Sequence, residues 1–214
     1  MKPQKLSPEL VSKLYAERKE EIERRLLEFK EVLGKPDESV FEELAYCILT
    51  AGSSARAADR AIRKLKENGL LLRGRAEEIE RFLAGVLYSR EKASRIVKAR
   101  AFFSTRDGIA IKSRLPADPR AARDFLAENV EGIGYKEASH FLRNVGYGGL
   151  AILDRHVLKG LCELSVISEV PRSLTRKRYL KIEEAYLDFA EKVGIRPEAL
   201  DLVLWSAKTG EVLK

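Results

Sequence analysis

The chain has 214 residues, with 40 Lys and Arg against 33 Asp and Glu, a net charge of +7 and a pI near 9.4. Its 45% apolar content excludes a disordered chain, and no run approaches the roughly 18–20 consecutive apolar residues that a membrane span needs. The opening MKPQKLSPEL lacks an apolar signal core, and Cys47 and Cys162, both among apolar neighbours, make neither a disulfide framework nor a four-thiolate metal site. The expectation is an intracellular basic protein whose thiols are buried and structural.

Helical periodicity governs nearly the whole chain. Ser7-Pro8 opens a first helix, which carries Leu10, Val11, Leu14, Ile22, Leu26 and Phe29 and ends near Gly34-Lys35-Pro36. A second begins near Asp37 or Ser39, and a third, capped by Ser53 or Ser54, ends at Asn68-Gly69. Further helices are predicted over 76–86, 90–104, 119–129, 175–193 and 197–207, with Ile109-Ala110-Ile111 the best of few strand candidates. The predicted fold is all-α: about ten helices in a single compact domain with two lobes around a cleft.

Charged residues make up 34% of the chain, glutamine occurs once and asparagine three times, a bias of proteins that work hot. The positive charge is uneven. Residues 54–115 hold 16 Lys and Arg against 7 Asp and Glu, whereas 116–160 hold 6 of each. Two readings are open: a basic face aimed at a polyanion, or solvated helix surfaces.

The most informative stretch is 124–161, DFLAENVEGIGYKEASHFLRNVGYGGLAILDRHVLKGL. An amphipathic helix meets Gly132-Ile133-Gly134, and a second helix starts at once with Tyr135, so a helix-hairpin-helix spans about 121–146. The glycines bare backbone N–H groups at the positive end of the second helix, which suits a DNA phosphate without reading sequence. Lys136 sits in that first turn, where the dipole disfavours a cation and so favours the neutral, nucleophilic amine. Eighteen residues on comes Asp154, just before a helical run. Its ordinary role there is an N-cap, and backbone N–H groups at a cap also favour its charged form. A fixed negative charge near an amine is what a developing sugar cation requires.

These residues resemble a known family. Gly132-Ile-Gly134-Tyr135-Lys136, a Gly-rich loop and Asp154-Arg155-His156-Val are similar to the helix-hairpin-helix/Gly-Pro-Asp DNA glycosylases, in which the lysine marks bifunctional glycosylase/AP lyases. Residues 49–60, LTAGSSARAADR, resemble the family's early DNA-facing helix, and GVLYSREKA from Gly85 a second block. The chain end, WSAKTGEVLK, resembles the archaeal-type 8-oxoguanine DNA glycosylases, the Ogg2 group. The four-cysteine iron–sulfur loop of the endonuclease III branch is missing, so neither cofactor nor metal is expected. The position of Gly52 is often a polar amide in relatives, which leaves the opposite-base preference open.

The resemblance implies a bifunctional enzyme excising 8-oxoguanine, with Lys136 as nucleophile, Asp154 as its electrostatic partner, and a Schiff base that permits β-elimination. It implies base recognition by Tyr88, Trp205 and the terminal Lys214. DNA-backbone contacts are expected from Gly132, Gly134, Tyr135, Arg155, His156, Ser53 and Ser54. The expected partner is double-stranded DNA containing an oxidised purine. The protein is expected to be a monomer, off the membrane, in the nucleoid-associated cytoplasm of a bacterium or archaeon. Two alternatives stand beside this: a glycosylase for oxidised pyrimidines, and a non-catalytic hairpin protein in which Lys136 only contacts phosphate.

Overall fold

A computed structural model describes residues 5–212. Ser7 begins helix α1 (Pro8–Val32), its hydroxyl accepting the Leu10 N–H at 3.2 Å, and Val11, Ile22, Leu26 and Phe29 form the buried stripe. Helix α2 (Asp37–Thr50) follows the Lys35-Pro36 break. Helix α3 (Ala55–Glu67) starts at Ser54, whose hydroxyl accepts the Ala57 N–H. Then come two short helices, α4 (Leu70–Arg73) and α5 (Ala76–Glu80), and the longer α6 (Ser89–Phe103). A two-residue antiparallel ribbon pairs β1 (Ser104–Thr105) with β2 (Gly108–Ile109). After a 3₁₀ turn at Lys112–Arg114, α7 (Pro119–Asn129) and α8 (Tyr135–Asn144) form the hairpin. Helices α9 (Arg155–Glu163), α10 (Arg176–Lys192) and α11 (Pro197–Thr209) complete an all-α chain.

Four details differ from the sequence expectation. The helix expected over 76–86 stops at Glu80 and continues as turns, because Gly85 (φ +82°) and Tyr88 (φ +56°) take left-handed conformations. Ile79, Leu83 and Val86 are nevertheless all buried, so a succession of turns reproduces helical spacing. Helix α4 was not foreseen; its four residues are too short to show a period. The strand expected at 109–111 pairs only through Ile109. Cys47 is buried as expected, but Cys162 is only partly covered.

The chain divides into two units. One comprises 5–29 and 147–212 of the described residues, the other 30–146. In the second, α2 is buried along most of its length, from Val40 and Phe41 to Ile48 and Leu49, and packs against α3, α6 and α8. Helix α7 lies against α8 in the same unit. The fully buried Arg123 of α7 sets its guanidinium over the Tyr135 ring, 4.7 Å from the centroid, and the Tyr135 hydroxyl donates to Asp124. These contacts fix how closely the two hairpin helices approach.

In the first unit, α9 and α10 pack on α11. Gly160 on α9 brings the backbone close to Leu204 of α11; a Cβ there would lie 3.4 Å from a leucine methyl. The extended segment before α9 is held from α10. Ala151 donates its N–H to the buried Glu183 at 2.9 Å and accepts from the Tyr179 hydroxyl at 2.6 Å. That double clamp fixes the entry to Asp154.

Asp118 caps α7, accepting the Ala121 N–H at 2.8 Å, with Pro119 in the first turn. Asp118→Ala should cost about 1 kcal/mol and lower the melting temperature by roughly 2–4 °C, as measured by thermal denaturation. An unchanged melting curve would show that α7 needs no cap.

Candidate active site

The hairpin connection takes five residues, 130–134. Ile133 is buried and its N–H returns to the Val130 carbonyl at 3.1 Å, so it plugs the turn into the core. Only one of the two glycines needs its freedom of conformation. Gly132 has φ +84°, and a Cβ on it would lie 2.5 Å from Arg95 Cδ and 2.8 Å from Arg95 Nε. Gly134 is extended at φ −96° and serves as the N-cap of α8 without offering a side chain. The first turn of α8 therefore has no side-chain cap from Gly134, and it forms the positive end of the helix dipole.

Lys136 and Glu137 occupy this first turn. Lys136 keeps 24% of its side chain exposed, and its Nζ lies 3.4 Å from Glu137 Oε1. An amine in this position is reachable yet tethered. Tyr135 donates its hydroxyl to Asp124 of α7, so the side chain braces the hairpin. His140, one turn beyond Lys136, is buried with its ring edge-on to Tyr46 at 6.0 Å.

Asp154 caps α9 as its sequence context predicts. Its Oδ1 alone accepts both the His156 and Val157 N–H groups, each at 2.8 Å. Among the described residues, Oδ2 receives no hydrogen bond. One carboxylate thus satisfies a helix end and retains an oxygen for other work. In the same unit, Arg155 Nε donates to His156 Nε2 at 3.3 Å, and the His156 ring meets Trp205 of α11 edge-on at 6.4 Å. Trp205 is half-buried. Lys214 lies outside the described residues. Val212 is buried, so the tail is held to the core up to that point.

The two remaining sequence blocks meet within the second unit. Tyr88 is 72% exposed and Leu87 57%, an unusual display of large apolar side chains on one turn. A core role for Tyr88 is thereby excluded. Its left-handed backbone costs about 1–2 kcal/mol for a residue with a Cβ, the kind of local strain that clusters at functional sites. Ser54 is committed to capping α3, and the Ser53 hydroxyl accepts the Leu87 N–H at 3.0 Å.

Sequence reasoning assigned no role to Lys92, which the structure places at the centre of this region. It is fully buried, and its ammonium donates to Leu49 O at 2.8 Å, Ala51 O at 2.6 Å and Ser53 Oγ at 3.0 Å. Burial, with the positive charges of Arg95 and Lys136 nearby, pushes it down to about 8, against the opposing charge of Glu137. A signal was available in the sequence. Lys92 stands on the same helical stripe as Ile96, Ala99 and Phe103, where a charge needs a reason.

A sequence profile described as the Ogg-HhH family of 8-oxoguanine DNA glycosylase matches residues 22–195. The chain belongs to that family. The 8-oxoguanine DNA glycosylase/AP lyase of Methanocaldococcus jannaschii is 43% identical over 201 residues, covering 93% of this chain and 94% of its own length. The enzyme of the same description from Fusobacterium nucleatum is 40% identical over 95% of this chain and 96% of its own. Among solved structures, the M. jannaschii 8-oxoguanine glycosylase/lyase in complex with a 15mer DNA containing 8-oxoguanine has a TM-score of 0.87 at 39% identity, covering 96% of this chain and all of that one. The Thermotoga maritima 8-oxoguanine DNA glycosylase has a TM-score of 0.85 at 36% identity.

Gly132→Ala in this glycosylase places a Cβ in a left-handed conformation and against Arg95. A loss of at least about 1 kcal/mol in chemical denaturation is expected, together with weaker binding of undamaged duplex. Duplex binding unchanged from wild type would remove the hairpin backbone from the interface.

Proposed function

We propose that this chain is a bifunctional 8-oxoguanine DNA glycosylase/AP lyase acting through Lys136 and Asp154. The observation that carries the assignment of Lys136 is its place in the first turn of α8, directly after the glycine hairpin and at the positive end of the helix, which favours a phosphate. Family membership supplies the substrate class. The excess of basic residues over 54–115 falls within the unit that bears the hairpin, consistent with a polyanionic duplex as partner.

The purine leaves the base stack at a cost of a few kcal/mol, offset by contacts to the extruded base. The exposed Tyr88 and the half-buried Trp205 offer aromatic faces for this purpose. The Lys136 amine attacks C1′ and the glycosidic bond breaks, its electron pair leaving with the base, which takes up a proton. Positive charge that builds on the sugar is stabilised by Asp154, whose Oδ2 is unengaged by the cap. Ring opening gives an imine between Lys136 Nζ and C1′. Loss of a C2′ proton then expels the 3′ phosphate, which is the strand-cleaving lyase step. Glu137 holds the amine between turnovers and offers it a proton acceptor. The protein acts as a monomer in a prokaryotic cytoplasm under this reading.

Borohydride reduction on 8-oxoguanine duplex tests the nucleophile, since only an enzyme–DNA imine becomes covalently trapped. Lys136→Gln should abolish trapping and strand cleavage while leaving duplex binding largely intact. Trapping that survives in Lys136→Gln would show that another amine attacks.

Asp154→Asn retains a carbonyl to cap α9 and replaces the unengaged oxygen with an uncharged amide. Single-turnover excision should fall by about 100-fold or more, with stability changed by only about 1 kcal/mol. A normal rate in a destabilised protein would reduce Asp154 to a cap.

A further inference from the structure

Lys92 gives up its hydration to make three bonds, and all three lie at one junction. Two of its acceptors, the Leu49 and Ala51 carbonyls, belong to the C-terminal end of α2, where backbone oxygens lose their intrahelical partners. The third, Ser53 Oγ, accepts at the same time from the Leu87 N–H. Lys92 also stands one helical turn after Tyr88, its own N–H donating to the Tyr88 carbonyl at 2.9 Å. The ammonium therefore joins two turns that are far apart in sequence. One is 51–54, which leads from α2 to the capped start of α3. The other is 85–88, which displays Leu87 and Tyr88.

A buried lysine is a costly way to join two turns, because burial disfavours its charged form. An apolar residue on the same stripe would pack without that cost, but would leave the α2 carbonyls without this donor and Ser53 Oγ with the Leu87 N–H alone. The arrangement gives rigidity to an exposed surface that has little packing of its own. Tyr88 is held in a left-handed conformation, and the Ser53–Leu87 bond is the side-chain tie on the preceding residue.

We propose that Lys92 is a positioning residue for base extrusion: through Ser53 it locks the 51–54 and 85–88 turns into one body, so that Leu87 and Tyr88 meet the duplex in fixed register. The role rests on the glycosylase reading above. It acts on the step that removes the purine from the stack, and not on the chemistry at Lys136. An abasic site has no base to extrude, so its cleavage does not need the locked turns.

The test compares single-turnover excision of 8-oxoguanine with cleavage of a preformed abasic site. Lys92→Met keeps the length and apolar stem of the side chain and removes every donor. Excision should fall by roughly 10- to 100-fold, the scale of a small misplacement of reacting groups, while abasic-site cleavage stays within about threefold of wild type. The Leu87 amide should lose its hydrogen-exchange protection in the same variant. Ser53→Ala should also lower 8-oxoguanine excision, though less, and combining it with Lys92→Met should add little further loss.

Equal losses on the two substrates would assign Lys92 to general stability, and additive losses in the double variant would break the link through Ser53; either overturns the proposal. Should Lys92→Met fail to fold, Ser53→Ala carries the test, because it leaves both α2 carbonyl bonds in place. Wild-type excision by folded Ser53→Ala then overturns it. A wild-type protein that excises no 8-oxoguanine would overturn the functional reading and this role together. Normal wild-type excision with unimpaired variants would overturn the role of Lys92 alone.

Discussion

The hairpin between α7 and α8 depends on the left-handed backbone at Gly132, a conformation that a residue with a Cβ adopts only under strain. The Arg95 stem crosses the position that a side chain would occupy there. That close approach ties α6, which carries Arg95, to the loop that starts α8. Ile133 anchors the loop in the core, and Arg123 and Asp124 hold Tyr135 from the other side. The first turn of α8, with Lys136 in it, is then fixed before any substrate arrives. A nucleophile presented on a rigid element loses little freedom on the way to the transition state.

Buried polar groups specify the rest of the second unit. Asn144, at the end of α8, donates to Glu43 of α2 at 3.0 Å, and His140 meets Tyr46 of the same helix. The far end of α2 is closed by Lys92 from α6. Helices α2, α6 and α8 are thus connected by hydrogen bonds as well as by apolar packing, and a slip of one by a turn would strand several polar groups. Such groups cost free energy in isolation and confer uniqueness when satisfied.

The first unit follows a similar logic on a smaller scale. Tyr179 and Glu183 of α10 clamp the backbone at Ala151, and the chain leaves that clamp to reach Asp154. The carboxylate spends one oxygen on the helix end and keeps the other. Capping and the electrostatic role proposed for Asp154 use different oxygens, so one residue can serve both.

The sequence by itself determined the long helices and the hairpin, because these follow from local rules: Ser7, Ser54 and Asp154 each cap the helix expected of them. It also singled out Lys136 and Asp154 as the candidate pair, since glycine spacing, dipole position and capping can all be read within a few residues. Only the tertiary structure decided the use of side chains that act at long range. That Tyr88 stands in solvent was decided by the turn that carries it. The bond from the Tyr135 hydroxyl to Asp124, eleven residues back on the other hairpin helix, is decided by how α7 and α8 pack. Lys92 was visible only as a charge on an apolar stripe, because its three partners lie 39 to 43 residues away in the chain. Periodicity reports which face of a helix is buried; which acceptors wait on the other side is settled by how distant segments pack.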